Sequence, residues 1–307
     1  MNANAVNNNV PSHERRSGAR VYRRVVVGGL ETASVSRAHL TELMVGDCMA
    51  ARHARRPARL VFASNGHAIA MAAKDSKFRD TFAKADIVHA DGQPAVFASR
   101  LLTDAPIPER SATTDFLFDA AQMAVRKDLT FFLLGSTEEI NSRVAERLKA
   151  HFPELKIVGR RNGYFGRHEE QAVCEEISRA KPDILWVGLG VPLEYEFCLR
   201  NREALKVGWI VTCGGCFNFA AGDYVRAPEW MQTFGLEWLH RLWREPKRLF
   251  WRYAVTNPIA AFLLLTRTKP ASLVHGTERA LPAPDMQRHY DDRGNPQAGE
   301  IPGRNTA

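Results

Sequence analysis

The stretch Thr130–His151, TFFLLGSTEEINSRVAERLKAH, decides the fold class of this chain. Its first six residues, Thr130–Gly135, are mostly large and apolar and end on a glycine, which is typical of a short β-strand. Residues 137–151 then follow a longer, helical pattern. Because the strand is apolar on both faces, it suits a parallel sheet that helices cover on both sides.

The same alternation runs through most of the sequence. Strands are predicted in six further runs: Arg24–Gly28, Arg59–Ala63, Ile87–Ala90, Lys156–Gly159, Asp183–Gly190 and Gly208–Cys213. Helices are predicted near residues 36–54, 66–84, 93–102, 114–126, 168–180 and 193–204. This repetition predicts an α/β fold with a Rossmann-like, mostly parallel sheet and helices on both faces.

The composition is that of an ordinary globular protein. Of 307 residues, 45% are hydrophobic and 25% are charged, which is enough to bury a core without disulfides or metals. Five cysteines do not form a disulfide framework and favour a reducing compartment. The formal net charge of +8 predicts an anionic partner, which could be a nucleic acid, a membrane surface or a phosphorylated substrate.

Neither a secretory signal nor a spanning helix is predicted. Residues 1–20 lack the apolar segment of a signal peptide. No apolar run approaches the roughly 20 residues that cross a bilayer. We therefore expect a cytoplasmic protein.

Four regions are expected along the chain. Residues 1–20 and 271–307 are polar and are predicted to be disordered. Residues 21–227 form the α/β domain. Residues 228–270 form a basic helical appendage, in which Pro246 fits the first turn of a second helix. Four of the six tryptophans of the chain lie in this appendage: Trp230, Trp238, Trp243 and Trp251.

Polar and glycine residues follow several predicted strands, whose carboxyl ends meet at one edge of the sheet, where ligands bind. Asp91 leaves a buried strand just before a helix, where a carboxylate could accept a proton from a substrate hydroxyl. The common alternative at such a position is the N-cap of the helix at 93–102. Ser136 and Glu139 have the spacing of a capping box. The other candidates are Asn65, Gly66, Gly92, Gly135, Gly188, Gly190, Gly214 and Gly215.

Several kinds of site are disfavoured. The glycine fingerprint of dinucleotide sites and the P-loop motif are absent. The C-x-x-C pair Cys213 and Cys216 lacks the further ligands of a zinc site, and a glycine-rich turn flanked by small buried thiols is the plainer interpretation. Asp-x-Asp is absent too, so arginines and backbone amides are expected to offset the charge of any bound diphosphate.

Arginines are available in the appendage. Arg241, Arg244, Arg248 and Arg252 recur every three or four residues and therefore line one helical face. Beside this row lies a broad apolar face rich in tryptophan. Such a face is typical either of a packed amphipathic helix or of a helix that rests on an anionic bilayer, and the pattern alone leaves both open.

Three blocks of the sequence resemble a known family. They are ADIVHADGQPAVFASRLL with ERSATTDF, then FFLLGSTEEINSRVAERLKAHFPELKIVGRRNGYF, and then DILWVGLGVPLEYEF with GWIVTCGGCFNFAAGDYVRAPEWMQTFGLEWLHRLWREPKRLFWRY. Together, from about Val25 to Leu265, they resemble the WecG/TagA/CpsF family of bacterial glycosyltransferases, glycosyltransferase family 26. The stretch GDYVRAPEWMQTFGLEWLHRLWREPKRL is the most specific part.

The resemblance implies an inverting glycosyltransferase that needs no metal or other cofactor. It implies transfer of a sugar from a UDP-sugar to a polyprenyl-diphosphate-linked sugar in the biosynthesis of a surface polysaccharide, such as an exopolysaccharide, a capsule or a teichoic-acid-like polymer. It also implies a peripheral location on the inner face of the cytoplasmic membrane, with residues 228–265 on the anionic surface.

The resemblance also assigns site residues. Asp91 matches the proposed general base of the family, and Arg110 matches its ER motif near the site. Arg241, Arg244 and Arg248 match arginines that face the departing diphosphate. With the strand-end positions, the predicted substrate-binding residues are Asn65, Arg110, Gly135, Ser136, Gly190, Pro192, Glu194, Gly214, Asn218, Arg241, Arg244 and Arg248.

Three positions depart from the family pattern. Ala63 replaces the Thr of a T-x-N motif, Glu194 stands where a Gln is usual, and Asn218 replaces the Asp of an F-D-F motif. All three lie on strand-end loops, where substrates are discriminated, so the resemblance implies no particular sugar.

Two other functions remain as alternatives from the residues alone. A nucleotide-binding oxidoreductase could use the same kind of sheet, although the glycine fingerprint is missing. A basic nucleic-acid-binding module is suggested by net charge alone, without base-reading residues, so no nucleic-acid partner is expected. The oligomeric state stays open, and a homo-oligomer is compatible with the sequence.

Overall fold

The computed structural model describes residues 22–54 and 56–270. The predicted disordered regions, 1–20 and 271–307, lie outside the described residues. The strands are β1 (Arg23–Val27), β2 (Leu30–Ser34), β3 (Arg59–Ser64), β4 (Ile87–Ala90), β5 (Thr130–Gly135), β6 (Lys156–Arg161), β7 (Ile184–Gly188) and β8 (Trp209–Thr212). The helices are α1 (Arg37–His53), α2 (Gly66–Lys74), α3 (Ser76–Ala83), α4 (Gln93–Leu102), α5 (Thr113–Lys127), α6 (Glu138–His151), α7 (Glu170–Ala180), α8 (Leu193–Asn201), α9 (Cys216–Ala220), α10 (Glu229–Thr233), α11 (Glu237–Arg244) and α12 (Pro246–Thr266).

Six strands form one parallel sheet in the order β4-β3-β8-β7-β5-β6. Side chains alternate between its faces. Along β7, Leu185 and Val187 belong to one hydrophobic core, and Ile184 and Trp186 belong to the other. Helices α2, α3, α4, α7, α8 and the end of α12 cover the first face, and α1, α5, α6 and α9 cover the second. The predicted Rossmann-like α/β fold is confirmed.

The first predicted strand, Arg24–Gly28, does not belong to the parallel sheet. Instead β1 pairs with β2 in an antiparallel hairpin. Gly28 and Gly29 join the two strands with φ angles of +60° and +91°, the left-handed values that a two-residue hairpin turn requires. The prediction missed β2 because the run LETAS is short and only partly apolar.

Two helix predictions also need correction. The predicted helix at 66–84 is two helices, because the Asp75 carboxylate accepts the N–H groups of Lys77 and Phe78 and thereby starts α3. The capping box predicted for Ser136 and Glu139 is wrong, since Thr137 caps α6 through its bond from the Ile140 N–H.

The C-terminal helices begin at Glu229, and Pro246 stands in the first turn of α12 as predicted. The far end of α12 packs into the core, where Leu263 and Leu264 are buried. By length and composition, α12 is the one helix among residues 22–54 and 56–270 that could cross a membrane. The prediction of no such helix considered only the apolar run from Pro258, whereas the uncharged residues before it extend the stretch.

Candidate active site

Asp91 lies directly after β4, at the carboxyl edge of the parallel sheet. Its Oδ1 accepts the backbone N–H of Thr113 at 2.8 Å and the Thr113 hydroxyl at 3.2 Å. Its Oδ2 accepts the side-chain N–H of Asn65 at 3.3 Å. These neutral donors fix the direction of a partly exposed carboxylate, as a general base requires.

The N-cap alternative for Asp91 is wrong. Helix α4 has Gly92 as its N-cap and no side-chain capping bond. Thr113 is the first residue of α5, so Asp91 accepts an otherwise unpaired N–H at the start of a different helix. The Asp91 side chain therefore stands at the positive end of the α5 dipole.

Asn65 follows β3 and has two contacts of different kinds. Its side-chain oxygen accepts the N–H groups of His67 and Ala68, both at 3.1 Å, and so caps α2. Because the cap uses the oxygen, the amide nitrogen is the atom presented to Asp91. The cap of one helix therefore also orients the carboxylate after the neighbouring strand.

His89, two residues before Asp91 on β4, is completely buried. Its Nδ1 lies 2.9 Å from the carbonyl oxygen of Ser111. Burial lowers the pKa of His89, against the opposing effects of the Asp91 charge and the Ser111 bond. The neutral imidazole leaves the charge of Asp91 uncompensated from this side.

Three of the predicted site residues meet at the ends of β7 and β8. The Glu194 carboxylate accepts the N–H of Gly190 at 3.1 Å and the N–H of Gly214 at 3.0 Å. Pro192 is the N-cap of α8 and is exposed. Glu194 is buried, so it holds two loops together rather than lining the open cleft.

Gly135 and Ser136 form a tight turn after β5. A Cβ on Gly135 would collide with the carbonyl of Gly188, and its φ of +131° is one that side chains rarely adopt. The Ser136 N–H donates to that same carbonyl at 3.0 Å. The turn thus fixes the close approach of the ends of β5 and β7.

Arg110 contacts the C-terminal helices. It donates to Glu237 of α11 at 2.6 Å and to the side-chain oxygen of Gln232 of α10 at 2.9 Å. Arg226 donates to the same Gln232 oxygen at 2.7 Å and to Asp115 of α5 at 2.7 Å. We call these four residues, Arg110, Arg226, Gln232 and Glu237, the arginine clasp, because they fasten α10 and α11 to the α/β body.

Arg226 of the clasp is close enough to Asp91 to respond to its charge. Burial lowers the pKa of Arg226. The hydrogen bond and charge of Asp115 and the charges of Glu237 and Asp91 raise it by more, so the net shift of the pKa is upward. A permanent positive charge therefore stands near the candidate base.

Arg241 and Arg248 of the arginine row lie against aromatic rings. The Arg241 guanidinium is 5.3 Å from the Phe219 ring and 5.8 Å from the Tyr224 ring, and Arg248 is 5.8 Å from Tyr224. Phe219, Tyr224, Arg241 and Arg244 line a cleft of about 180 Å³. Asn218 lies in α9 beside this cleft, and its carbonyl accepts the N–H of Tyr224 at 3.2 Å.

The arginine row carries more positive charge than the nearby carboxylates neutralise. Arg248 pairs with Glu245 at 2.6 Å. Among the described residues, Arg241, Arg244 and Arg252 form no ion pair. The prediction that the row lines one helical face is wrong, because Arg241 and Arg244 lie in α11 whereas Arg248 and Arg252 lie in α12. Unpaired guanidinium groups near the junction of these two helices favour the binding of an anion.

The row also reaches the helix that Asn65 caps. Burial lowers the pKa of Arg252, and the charges of Arg241 and Arg248 lower it further. Burial and the charge of Arg252 lower the pKa of His67, in the first turn of α2, to about 4. The arginine row and the carboxylate of Asp91 therefore both adjoin the start of α2.

The sequence pattern of the glycosyl transferase WecG/TagA/CpsF family matches residues 26–272. This chain belongs to that family. Because the family consists of glycosyltransferases, this chain is a glycosyltransferase. The match favours this activity over the oxidoreductase and the nucleic-acid-binding alternatives.

Two relatives of this chain have names that state the reactions they catalyse. One, from Bacillus subtilis (strain 168), is 31% identical over 202 residues, which are 66% of this chain and 77% of the relative. The other, from Bacillus spizizenii (strain ATCC 23059 / NRRL B-14472 / W23), is 28% identical over 218 residues, which are 71% of this chain and 82% of the relative. Both are named N-acetylglucosaminyldiphosphoundecaprenol N-acetyl-beta-D-mannosaminyltransferase.

The C-x-x-C pair lies inside the fold. Cys213 and Cys216 are both buried, and neither forms a disulfide. Burial raises the pKa of Cys216 to about 12, whereas a redox thiol needs a lowered pKa. Within residues 22–54 and 56–270, no three His, Cys, Asp or Glu side chains are grouped to hold a metal.

Sequence reasoning missed several residues that complete this edge of the sheet. They are Thr113, Phe219, Tyr224, Arg226, Gln232 and Glu237. Thr113 and Arg226 lie within the blocks ERSATTDF and GDYVRAPEW, which carry the family resemblance. Their position in those blocks is the signal that could have singled them out.

Proposed function

We propose that this family member transfers a sugar from a UDP-sugar to a polyprenyl-diphosphate-linked sugar, with inversion at the anomeric carbon and with Asp91 as general base. The observation that carries the proposal is the Asp91 carboxylate, held by Thr113 and Asn65 at the start of α2, which Arg252 of the arginine row also adjoins. Asp91 takes the proton from the acceptor hydroxyl while the hydroxyl oxygen attacks the anomeric carbon of the donor. The bond between that carbon and the diphosphate breaks in the same step.

The departing diphosphate needs positive charge, and arginines supply it in this proposal. Arg241 and Arg244 line the cleft and carry no carboxylate partner among the described residues. Arg248 stands in the first turn of the next helix, α12, and has one carboxylate partner, Glu245. A guanidinium group can donate two hydrogen bonds at once to diphosphate oxygens. The arginine row can therefore offset the charge that develops on the diphosphate without a metal.

The names of the relatives indicate which substrates to try first. We infer N-acetylmannosamine as the sugar of the first donor to test and a polyprenyl-diphosphate-linked N-acetylglucosamine as the first acceptor. Because Ala63 and Asn218 depart from the family pattern at strand ends, a panel of UDP-sugars belongs beside this donor.

The test of the base is the Asp91→Asn variant in a transfer assay with the product identified by mass. Transfer should fall by about 10²–10⁴-fold, as expected when a general base is lost, while UDP-sugar binding persists. Asp80→Asn, at an exposed aspartate of α3, is the matched control. Near-normal turnover by Asp91→Asn would remove Asp91 from the mechanism.

We also propose that residues 228–265 rest on the anionic inner face of the cytoplasmic membrane. Trp243 is 85% exposed and Trp251 is 74% exposed, next to the exposed charges of Arg244 and Lys247. Leu101 of α4, 75% exposed, adds an apolar side chain from the α/β body. Exposed tryptophans beside basic residues are typical of an interfacial helix.

Point variants test the membrane contact better than a truncation, because the end of α12 packs into the core. Trp243→Ala/Trp251→Ala should lower binding to vesicles with anionic lipid by at least about tenfold, since two large apolar side chains no longer enter the interface. Tyr164→Ala, at another exposed aromatic residue, is the control. Unchanged binding of the double variant would contradict the proposed surface.

A further inference from the structure

Glu194 occupies an unusual place for a carboxylate. It stands in the first turn of α8 and is only 2% exposed. One oxygen, Oε2, accepts two backbone N–H groups, from Gly190 in the loop after β7 at 3.1 Å and from Gly214 in the loop after β8 at 3.0 Å. A single buried oxygen therefore connects the loops of two neighbouring strands.

In the part of the chain that the structure describes, no positively charged side chain pairs with this carboxyl group. The ionisable groups that face it are Tyr195 and Cys198 of α8 and Cys213 after β8, and burial keeps all three neutral. Among the described residues, no Lys, Arg or His forms an ion pair with Glu194.

The helix and strands packed against α8 offer no cation to Glu194 either. Helix α3 presents the rings of Phe78 and Phe82, and β3 presents the ring of Phe62, all against Tyr195. Strands β7 and β8 are buried and carry no ionisable side chain. An ionised Glu194 would therefore be an unpaired buried charge, which is costly.

The protonated form avoids that cost and keeps both bonds. Burial raises the pKa of Glu194 to about 8, although the bonds from Gly214 and Gly190 lower it. In the acid form, Oε2 accepts the two N–H groups and Oε1 carries the proton. At neutral pH most molecules hold this acid form.

We propose that Glu194 is a positioning residue that acts as a neutral carboxylic acid and fixes the loops after β7 and β8 as two walls of the donor cleft. The inference rests on the proposed function, since it takes Gly190 and Gly214 to lie beside the donor. When Glu194 loses its proton, a buried negative charge appears beside a cleft that receives a diphosphate, so donor binding weakens.

The pH dependence of donor KM and of kcat/KM tests this in the full chain. Wild type should lose about tenfold in kcat/KM between pH 7 and pH 9, mostly through a higher donor KM. Glu194→Gln has the same shape, keeps an acceptor oxygen and cannot ionise, so its profile should stay flat over this range. Glu194→Ala, which lacks the acceptor, should be weak at every pH.

The matched control is Glu196→Gln, at an exposed glutamate of the same helix, which should follow the wild-type profile. If Glu194→Gln declines in parallel with wild type, the alkaline limb belongs to another group and the proposal is wrong. If Glu194→Gln is as inactive as Glu194→Ala at pH 7, the carboxyl group itself is required and the proposal is also wrong.

A readout without catalysis separates this inference from the proposed reaction. The infrared band of a protonated carboxyl group should be present at pH 7 in wild type, decline as the pH rises through about 8, and be absent in Glu194→Gln. This result would support the neutral form of Glu194 even if the proposed substrates gave no product. A wild-type spectrum identical to that of Glu194→Gln at pH 7 would overturn it.

Discussion

The two edges of the parallel sheet hold their carboxylates in opposite ways. At the amino edge, just before β7, Asp183 accepts two bonds from Arg52 at 2.7 and 2.6 Å. At the same edge, just before β4, Asp86 accepts a bond from Arg202 at 2.7 Å. Each also accepts a backbone N–H of the neighbouring strand.

The carboxyl edge holds Asp91 and Glu194 without an arginine partner, although the arginine clasp lies nearby. Asp91 and Glu194 are held there by N–H and hydroxyl donors and form no ion pair within the described residues. Arg241 and Arg244 of the same edge have no carboxylate partner there. Acids neutralised by arginine stabilise the fold, whereas acids held by neutral donors stay available for protons and unpaired arginines stay available for anions.

The largest effect on stability is expected from the amino edge. Asp183→Ala should lower the free energy of unfolding by about 3 kcal/mol, because it leaves the Arg52 charge and the Thr130 N–H without their partner. The value is at the low end for a buried pair, since Arg52 is partly exposed. Urea unfolding measures the loss.

The comparison predicts that this loss leaves the chemistry alone. At a temperature where Asp183→Ala is folded, its kcat should stay near that of wild type. Asp91→Asn keeps an acceptor oxygen for the Thr113 N–H, so it should lose transfer and keep its stability. If Asp183→Ala lost kcat in the folded state, the two edges would not have separate tasks.

A smaller effect is expected from the arginine clasp, which joins the carboxyl edge to the C-terminal helices. Arg110 and Glu237 are both largely buried and lie 2.6 Å apart. A double-mutant cycle with Arg110→Ala and Glu237→Ala should give a coupling energy of about 1–2 kcal/mol in the free energy of unfolding. Such a value would mean that α11 depends on the clasp for its place.

The matched pair for this cycle is Arg200 and Glu196, which are neighbours on α8 with a more exposed carboxylate. Their coupling should be only about 0.3–0.5 kcal/mol. If the clasp pair coupled no more strongly than this surface pair, the clasp would not hold α11 to the body.

Local pattern was enough for the sheet, because each apolar strand is buried on both faces. It also placed Asp91 at the end of a strand, but it left the side chain between a base and a helix cap, and only the family resemblance favoured the base. The hairpin of β1 and β2 could not, since pairing partners outside the sheet depend on a turn that two glycines permit. The predicted spacing of Ser136 and Glu139 failed because Thr137 was an equally good cap one residue later.

The partners of the site residues were beyond local pattern for a different reason. Thr113 reaches Asp91 across 22 residues, and Glu237 reaches Arg110 across 127. Contacts of this kind arise only when the fold brings distant segments to one edge. The buried state of Glu194 was missed for the same reason, because burial is a property of the packed helix and not of its sequence.

The smallest effect on stability, and the sharpest test of the carboxyl edge, concerns Asn65. Asn65→Ala removes the cap of α2 and should cost about 1 kcal/mol in the free energy of unfolding. Asn65→Asp keeps a cap of similar strength, so a loss of its stability reflects repulsion between the new carboxylate and that of Asp91. Asp75→Ala removes the cap of α3, whose side chain accepts the N–H groups of Lys77 and Phe78, and controls for the loss of a cap alone.

The two Asn65 variants should lose stability for different reasons but agree in activity. Asn65→Asp places a second carboxylate where the N–H of Asn65 stood, 3.3 Å from Asp91, so the Asp91 carboxylate loses a donor and gains a like charge beside it. Transfer should therefore fall in Asn65→Asp and Asn65→Ala but persist in Asp75→Ala, as measured by kcat against pH. If Asn65→Asp retained full kcat at neutral pH, the neutral donor would not matter to Asp91. The contrast between the two edges would then rest on Thr113 alone.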